Sequence, residues 1–222
     1  MHGNFLSSDQ YPAPAIPPQP PPAILIAPFN GELNQRPAAQ LAASTASVLL
    51  RPFATEDAPH LYEAARESMD PLCEWMTWCR PEYSLQDSER FIVEAAEDWA
   101  KGERYSFAII DTSDGTFLGS AGINHVNRTH GFANLGYWVR NSKTRRGVAT
   151  AATVQIARFA LRQLGLSRIE LLIPADNLAS QRVAQKAGAK FEGLLRNRLM
   201  LRAKSHDAVL YSLLLKDLEP PR

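Results

Sequence analysis

Between Val48 and Leu215 the chain alternates short apolar runs with longer stretches in which apolar residues recur every three or four positions. Alternation with period two marks a half-buried strand, and a spacing near 3.6 marks an amphipathic helix, because those are the repeats of the two backbones. Val48-Leu49-Leu50-Arg51 reads as a first strand, closed by Pro52 and followed by a helix start at Thr55-Glu56-Asp57. Helical spacing runs to about Ser68 and resumes from Ser84 to Lys101, where Gly102 stops it. Tyr105 to Asp111 and Phe117 to Val126 are β-rich and enclose Ser113-Asp114-Gly115, turn chemistry that joins them as a hairpin. A third strand follows, with Leu135, Tyr137 and Val139 on one face.

In the second half strand-like and helix-like segments alternate. Gly147 to Leu164 is apolar on most sides, and Gln155, Arg158 and Arg162 mark a narrow solvent stripe, so this helix is expected to be well buried. Ile169 to Ile173 reads as a buried strand. Asn177 to Ala187 reads as a helix capped by Asp176 or Asn177 and closed by Gly188. Strands over about Lys190 to Leu199 and Ala208 to Leu215 finish the pattern, joined by a hairpin around Arg202 to His206. Hairpins first and strand-helix-strand-helix-strand afterwards predict an α/β (mixed α+β) fold: one mixed central sheet of about six to seven strands with helices on both faces.

Composition changes this picture mainly at the amino-terminal end. Prolines dominate from Tyr11 to Pro28, where they remove backbone donors and fix φ, so residues 1–46 are expected to be a disordered or polyproline arm and 47–218 the folded domain. With 222 residues, 45% hydrophobic and 21% charged, one catalytic-size domain is the natural count. The net charge of +1 gives no reason to expect direct nucleic-acid binding. No basic n-region precedes a long apolar run, and no window approaches a spanning helix, which predicts a cytoplasmic protein with no membrane association. Cys73 and Cys79 match neither a metal knuckle nor a redox pair; they are expected to be buried free thiols, and no metal is expected.

Charge is distributed unevenly. Residues 51–115 hold 15 Asp+Glu against 6 Lys+Arg, a balance of −9, and residues 140–206 hold 14 Lys+Arg against 3 Asp+Glu, or +11. Solvated helix faces account for such a split; a basic half holding a polyanion and an acidic half attracting a cation account for it equally.

The segment with most chemical content is Val139-Arg140-Asn141-Ser142-Lys143-Thr144-Arg145-Arg146-Gly147-Val148-Ala149-Thr150, where a strand passes through a basic loop into the buried helix. A helix start offers unpaired N–H groups and the positive end of the peptide dipoles, which suits a pyrophosphate. Gly147 lacks a Cβ and Ala149 has only a methyl, so an anion can approach the main chain, while Arg145 and Arg146 add charge. The loop is neither a P-loop nor a dinucleotide fingerprint.

This loop resembles the acetyl-CoA motif of the GNAT acetyltransferases, Arg/Gln-x-x-Gly-x-Gly/Ala, which falls on Thr144 to Ala149. The resemblance continues at Leu50-Arg51-Pro52 with Asp57, Leu118 to Ile123, Asn177-x-x-Ser180, Ala187 to Gly193, and Asp207 with Val209 to Leu215. About 170 residues fit in order, and the pattern is most similar to the branch of ribosomal-protein N-terminal acetyltransferases of the RimJ and RimL type. There are two departures: Thr144 replaces the usual Arg or Gln, and Ala184 stands seven positions after Asn177, where many members carry a tyrosine acid.

The resemblance implies acetyl-CoA as co-substrate, held by the strand edge around Val139, by Arg145, Arg146, Gly147, Val148, Ala149 and Thr150, and by Asn177 and Ser180. A backbone N–H near Tyr137 to Val139 is expected to polarise the acyl carbonyl. Ser180 is the candidate general acid, although a serine in a first helical turn is also an ordinary capping residue. For the base, Asn134 stands where some relatives have glutamate, leaving Glu192, His125 or a water chain. The acceptor implied is a primary amine, either a protein amino terminus or a small molecule such as a polyamine or aminoglycoside. A non-catalytic CoA-binding sensor with the same fold is the reading from another class.

Overall fold

The computed structural model describes residues 47–219, so the proline-rich arm expected over residues 1–46 lies outside the described residues. The described residues form seven strands: β1 (Val48–Pro52), β2 (Tyr105–Asp111), β3 (Phe117–Asn127), β4 (Phe132–Val139), β5 (Arg168–Pro174), β6 (Lys190–Leu201) and β7 (Lys204–Leu213). They make one sheet in the order β1-β2-β3-β4-β5-β7-β6. Every neighbouring pair is antiparallel except β4 and β5. A parallel pair needs a crossover, which α4 (Val148–Arg162) supplies.

Helices α1 (Ala58–Glu67), α2 (Met69–Trp75) and α3 (Leu85–Lys101) precede that crossover, and α5 (Leu178–Lys186) follows β5. Two cores result, one on each face of the sheet. On one, α4 buries Ala152, Ile156, Ala157, Phe159 and Ala160 against Leu135, Ile123 and Ile169. On the other, Leu61 of α1 and Ile92 of α3 cluster with Ala108, Ile110 and Trp138. The helix ends follow local chemistry. Ser84 caps α3 by accepting from the Asp87 N–H, with the Asp87 carboxylate returning the bond to the Ser84 N–H, and Gly102 ends it in the left-handed region.

Four expectations are corrected. Gln155 is buried, 2% exposed, so the solvent stripe of α4 reduces to Arg158 and Arg162. The helix lies between the sheet and the segment 215–218, whose Leu218 carbonyl accepts from Arg158. Met69–Trp75 is helical although Pro71 interrupts its pattern. The β6–β7 hairpin turns at Arg202 and Ala203, both at positive φ, so β7 starts four residues before the predicted Ala208. Cys73 and Cys79 form a disulfide, with Cα atoms 4.8 Å apart, where free thiols were expected. The chain leaving α2 at Trp75 turns back through residues 76–79, and a six-residue separation is thereby closed in space.

Candidate active site

The parallel pair β4–β5 is joined over only three residue pairs, Phe132–Arg168, Ala133–Ile169 and Asn134–Glu170. Beyond Asn134 the strands separate: among the described residues β4 runs on to Val139 with no partner on that edge, while β5 runs on to Pro174 paired to β7. The result is a fork, open toward the carboxyl ends of both strands. Because the strands are parallel, the helices that follow them both start at this open end, and α4 and α5 present their amino termini to one crevice. Carboxyl ends of strands are where open α/β sheets bind ligands.

The first of these termini is left uncapped. Between β4 and α4 a 3-10 turn at Asn141–Lys143 leads to Arg145 at φ 63° and Gly147 at φ 79°. Gly147 occupies the N-cap position in the left-handed region, where a residue with a Cβ is strained, and no side chain caps α4. The first-turn N–H groups of Val148, Ala149 and Thr150 are therefore left without the usual Ser, Thr or Asp acceptor. Arg145 and Arg146 are exposed at its rim.

The acidic half of the chain braces this loop. The carboxylate of Glu67, the last residue of α1, accepts from Arg140 Nε at 2.9 Å and again from its Nη2, and from the Ser142 N–H at 2.8 Å. Arg140 also donates to Glu63 at 3.2 Å, and the buried Ser68 hydroxyl accepts from the Asn141 N–H at 2.8 Å. Burial works to raise the Glu67 carboxyl, but these bonds outweigh it and hold its pKa at about 2. The sequence reading missed Glu67 and Ser68. Their only signal was the opposite charge of the two halves, which did not identify a pair.

At the second terminus Asn177 is the N-cap of α5 and its Oδ1 accepts from the Ser180 N–H at 3.0 Å. Its carbonyl oxygen is thus committed to capping. The Asn177 N–H in turn bonds the Pro174 carbonyl at 2.9 Å, and Gln181 Nε2 bonds the Ala175 carbonyl at 2.7 Å, so the turn out of β5 is tied down. Ser180 is half-buried, and its side chain hydrogen-bonds Tyr137. From across the fork the Tyr137 hydroxyl reaches the Ser180 carbonyl at 3.5 Å; burial pushes this phenol up to about 12. Ala184 is fully buried, so α5 sends no phenol into the crevice.

Asn134 and Glu192 both prove to be anchored. Asn134 sits at the apex of the fork, where its Oδ1 accepts from the Leu172 N–H at 3.2 Å and its Nδ2 donates to Asn124 Oδ1 at 2.9 Å. Glu192 lies at the closed end, on β6, and accepts from both Arg168 terminal nitrogens and from Ser212 Oγ at 2.6 Å. The Arg168 guanidinium, followed by the Ser212 hydroxyl, holds its carboxyl at about 2. A carboxylate so placed clamps β5, β6 and β7 together and is a poor proton acceptor near neutral pH. His125 is exposed at the irregularity between Asn124 and Asn127, at φ 50°.

A family profile described as an acetyltransferase (GNAT) domain matches residues 47–190. Among curated proteins, "Putative ribosomal N-acetyltransferase YdaF" of Bacillus subtilis (strain 168) is 25% identical over 178 residues, spanning 78% of this chain and 93% of that protein. Among solved structures, Mycobacterium smegmatis RimJ in complex with CoA-disulfide superposes with a TM-score of 0.71 at 25% identity, covering 79% of this chain and 85% of that one. The microcin C7 self-immunity acetyltransferase MccE, solved with acetyl-CoA and AMP, shares the fold: TM-score 0.70 at 22% identity, covering 76% and 92%. Among the described residues no helix is long and apolar enough to cross a membrane.

Proposed function

The chain belongs to the GNAT acetyltransferases, and from that premise we propose that it transfers an acetyl group from acetyl-CoA to a primary amine, with a protein amino terminus as the acceptor. The observation that carries this reading is the fork between β4 and β5, which leads from an unpaired strand edge to an uncapped helix amino terminus. The likeness to YdaF, named a ribosomal N-acetyltransferase, supports an amine on a protein.

Acetyl-CoA fits the residues present. An uncapped α4 with Gly147 in the left-handed region accepts a pyrophosphate on the amides of Val148, Ala149 and Thr150, with Arg145 and Arg146 adding positive charge. The free edge of β4 from Leu135 to Val139 offers the ladder positions that an extended chain of amides can pair with. When bound, acetyl-CoA supplies an acyl thioester as electrophile. In the reaction the amine nitrogen bonds to the carbonyl carbon, the carbon–sulfur bond breaks, the sulfur leaves as thiolate, and the amine gives up a proton.

The chain's residues orient these events. A backbone N–H on the free edge between Tyr137 and Val139 donates to the carbonyl oxygen as negative charge gathers there. Ser180, in the first turn of α5 with its side chain hydrogen-bonded to Tyr137, is assigned to hand its proton to the departing sulfur and to recover one from solvent. Asn177 and Tyr137 hold that turn in place by the bonds described above. Water or His125 is left to take the amine proton, because Asn134 carries no base and Glu192 is locked at the closed end. Fixing two substrates in register accounts for much of the rate.

The test is isothermal titration of acetyl-CoA against the wild type and Gly147→Glu, followed by free-thiol release with amino-terminal peptides, polyamines and aminoglycosides. Binding by the wild type, its loss in the variant, and thiol release with peptides are expected. No binding by the wild type would sink the reading, and binding without turnover on any amine would make the protein a sensor.

A further inference from the structure

Along β4, Leu135, Tyr137 and Val139 face the α4 core, so Asn134, Gly136 and Trp138 face the other way, toward the layer of α1 and α3. Trp138 is covered there, with Trp78 packed on it at 5.9 Å between ring centroids. Asn134 is held at the apex of the fork. Gly136, between them, leaves a notch: a Cβ built on it would meet one neighbouring atom within 4 Å, Asn124 Nδ2 at 3.9 Å. It lies one residue before the free N–H groups assigned to the acyl carbonyl, and on the face away from α4.

The polarity of this notch follows from a single backbone donor. The Leu172 N–H can only donate, so the oxygen of Asn134 must face it; the Asn134 NH2 group then faces Asn124, which must answer with its own oxygen. Both amide orientations are fixed by that chain of bonds, and it turns the Asn124 NH2 group toward the space over Gly136. Among the described residues neither of its N–H bonds has a partner. A half-buried donor over an open notch is matched by a substrate oxygen and gives nothing to an alkyl amine, whose polar groups are themselves donors.

We propose that Asn124 is a specificity-determining residue: it donates a hydrogen bond, over the notch at Gly136, to an oxygen a few atoms from the amine that is acetylated. The inference rests on the transferase reading above. It selects amines that carry a neighbouring carbonyl, as an α-amino amide or peptide does, over polyamines that lack one. The bond chain Leu172–Asn134–Asn124 is the device that keeps the donor aimed.

The experiment compares kcat/KM for a tripeptide with a free amino terminus and for spermidine in the wild type, Asn124→Asp, Asn124→Ala and Gly136→Ala. Asn124→Asp still accepts from Asn134 but donates nothing into the notch. A loss of about fivefold or more on the tripeptide is expected, with little change on spermidine and acetyl-CoA affinity kept. Gly136→Ala meets only an ordinary contact, so it folds, and it is expected to raise the tripeptide KM more than the spermidine KM. Equal losses on both amines, or none, would overturn the assignment while leaving the transferase reading standing. Wild-type protein that binds acetyl-CoA and turns over neither amine would overturn both.

Discussion

Replacing Glu67 with alanine tests the brace between the acidic helix and the basic loop. The substitution removes the acceptor of two Arg140 nitrogens and of the Ser142 N–H, leaving Arg140 with Glu63 at 3.2 Å and the Phe117 carbonyl at 3.4 Å. The Arg140 side chain is 12% exposed and that of Glu67 31%, which places the pair between the surface case and the buried one. Exposed pairs contribute about 0–1 kcal/mol and broken buried pairs cost about 3–5 kcal/mol, so a loss of roughly 2 kcal/mol is expected here. For a domain of this size that corresponds to a fall in Tm of about 4–8 °C.

The pH dependence has a definite sign. The folded-state pKa of Glu67 is about 2 against an ordinary 4.5, so its contribution is fully present above about pH 4.5 and is lost as pH falls toward 2. Thermal unfolding of wild type and Glu67→Ala should thus differ at pH 7 and converge in acid, and titration of acetyl-CoA at pH 7 should show weaker binding in the variant. An unchanged Tm together with unchanged acetyl-CoA affinity at pH 7 would refute the brace.

Two further predictions follow from the crevice and its closed end. Ser180→Ala should lower kcat by about tenfold or more while acetyl-CoA affinity holds, since the hydroxyl is assigned to the leaving sulfur and not to the pyrophosphate; equal kcat in pre-steady-state bursts would return Ser180 to a purely helical role. Glu192→Gln should leave kcat and its pH profile alone and lower stability at pH 7 by no more than about 1 kcal/mol, because the carboxylate is partly exposed to solvent. Its contribution is present above about pH 4.5 and lost toward pH 2, so a missing acid limb in the rate profile of this variant would reinstate it as the base.

What the sequence determined by itself was local and strong. Ser84 with Asp87 and Gly102 specify the ends of α3; the apolar run after Gly147 specifies α4; alternation and turn residues specify β2, β3 and β5. The start of α4 at Gly147 was legible for the same reason: a glycine, small residues and arginines lie within six consecutive positions, and the apolar pattern of the helix begins among them.

The tertiary structure decided everything that depends on residues far apart in the chain. Gln155 has the polarity of a surface residue, yet it is buried in a helix that the segment 215–218 packs against; only packing reveals that. Cys73 and Cys79 read as thiols until the turn after α2 brings them together. Glu192 carries a carboxyl suited to proton transfer, but β6 places it beside Arg168, 24 positions away, where the guanidinium holds the charge in place. Glu67 and Arg140 are 73 positions apart, and the sequence offered only two oppositely charged halves. The fork is the clearest case. Its strands are each legible as strands, but where two parallel neighbours part is set by twist, by the antiparallel partners on either side, and by one asparagine at the apex, and none of these is a property of local sequence.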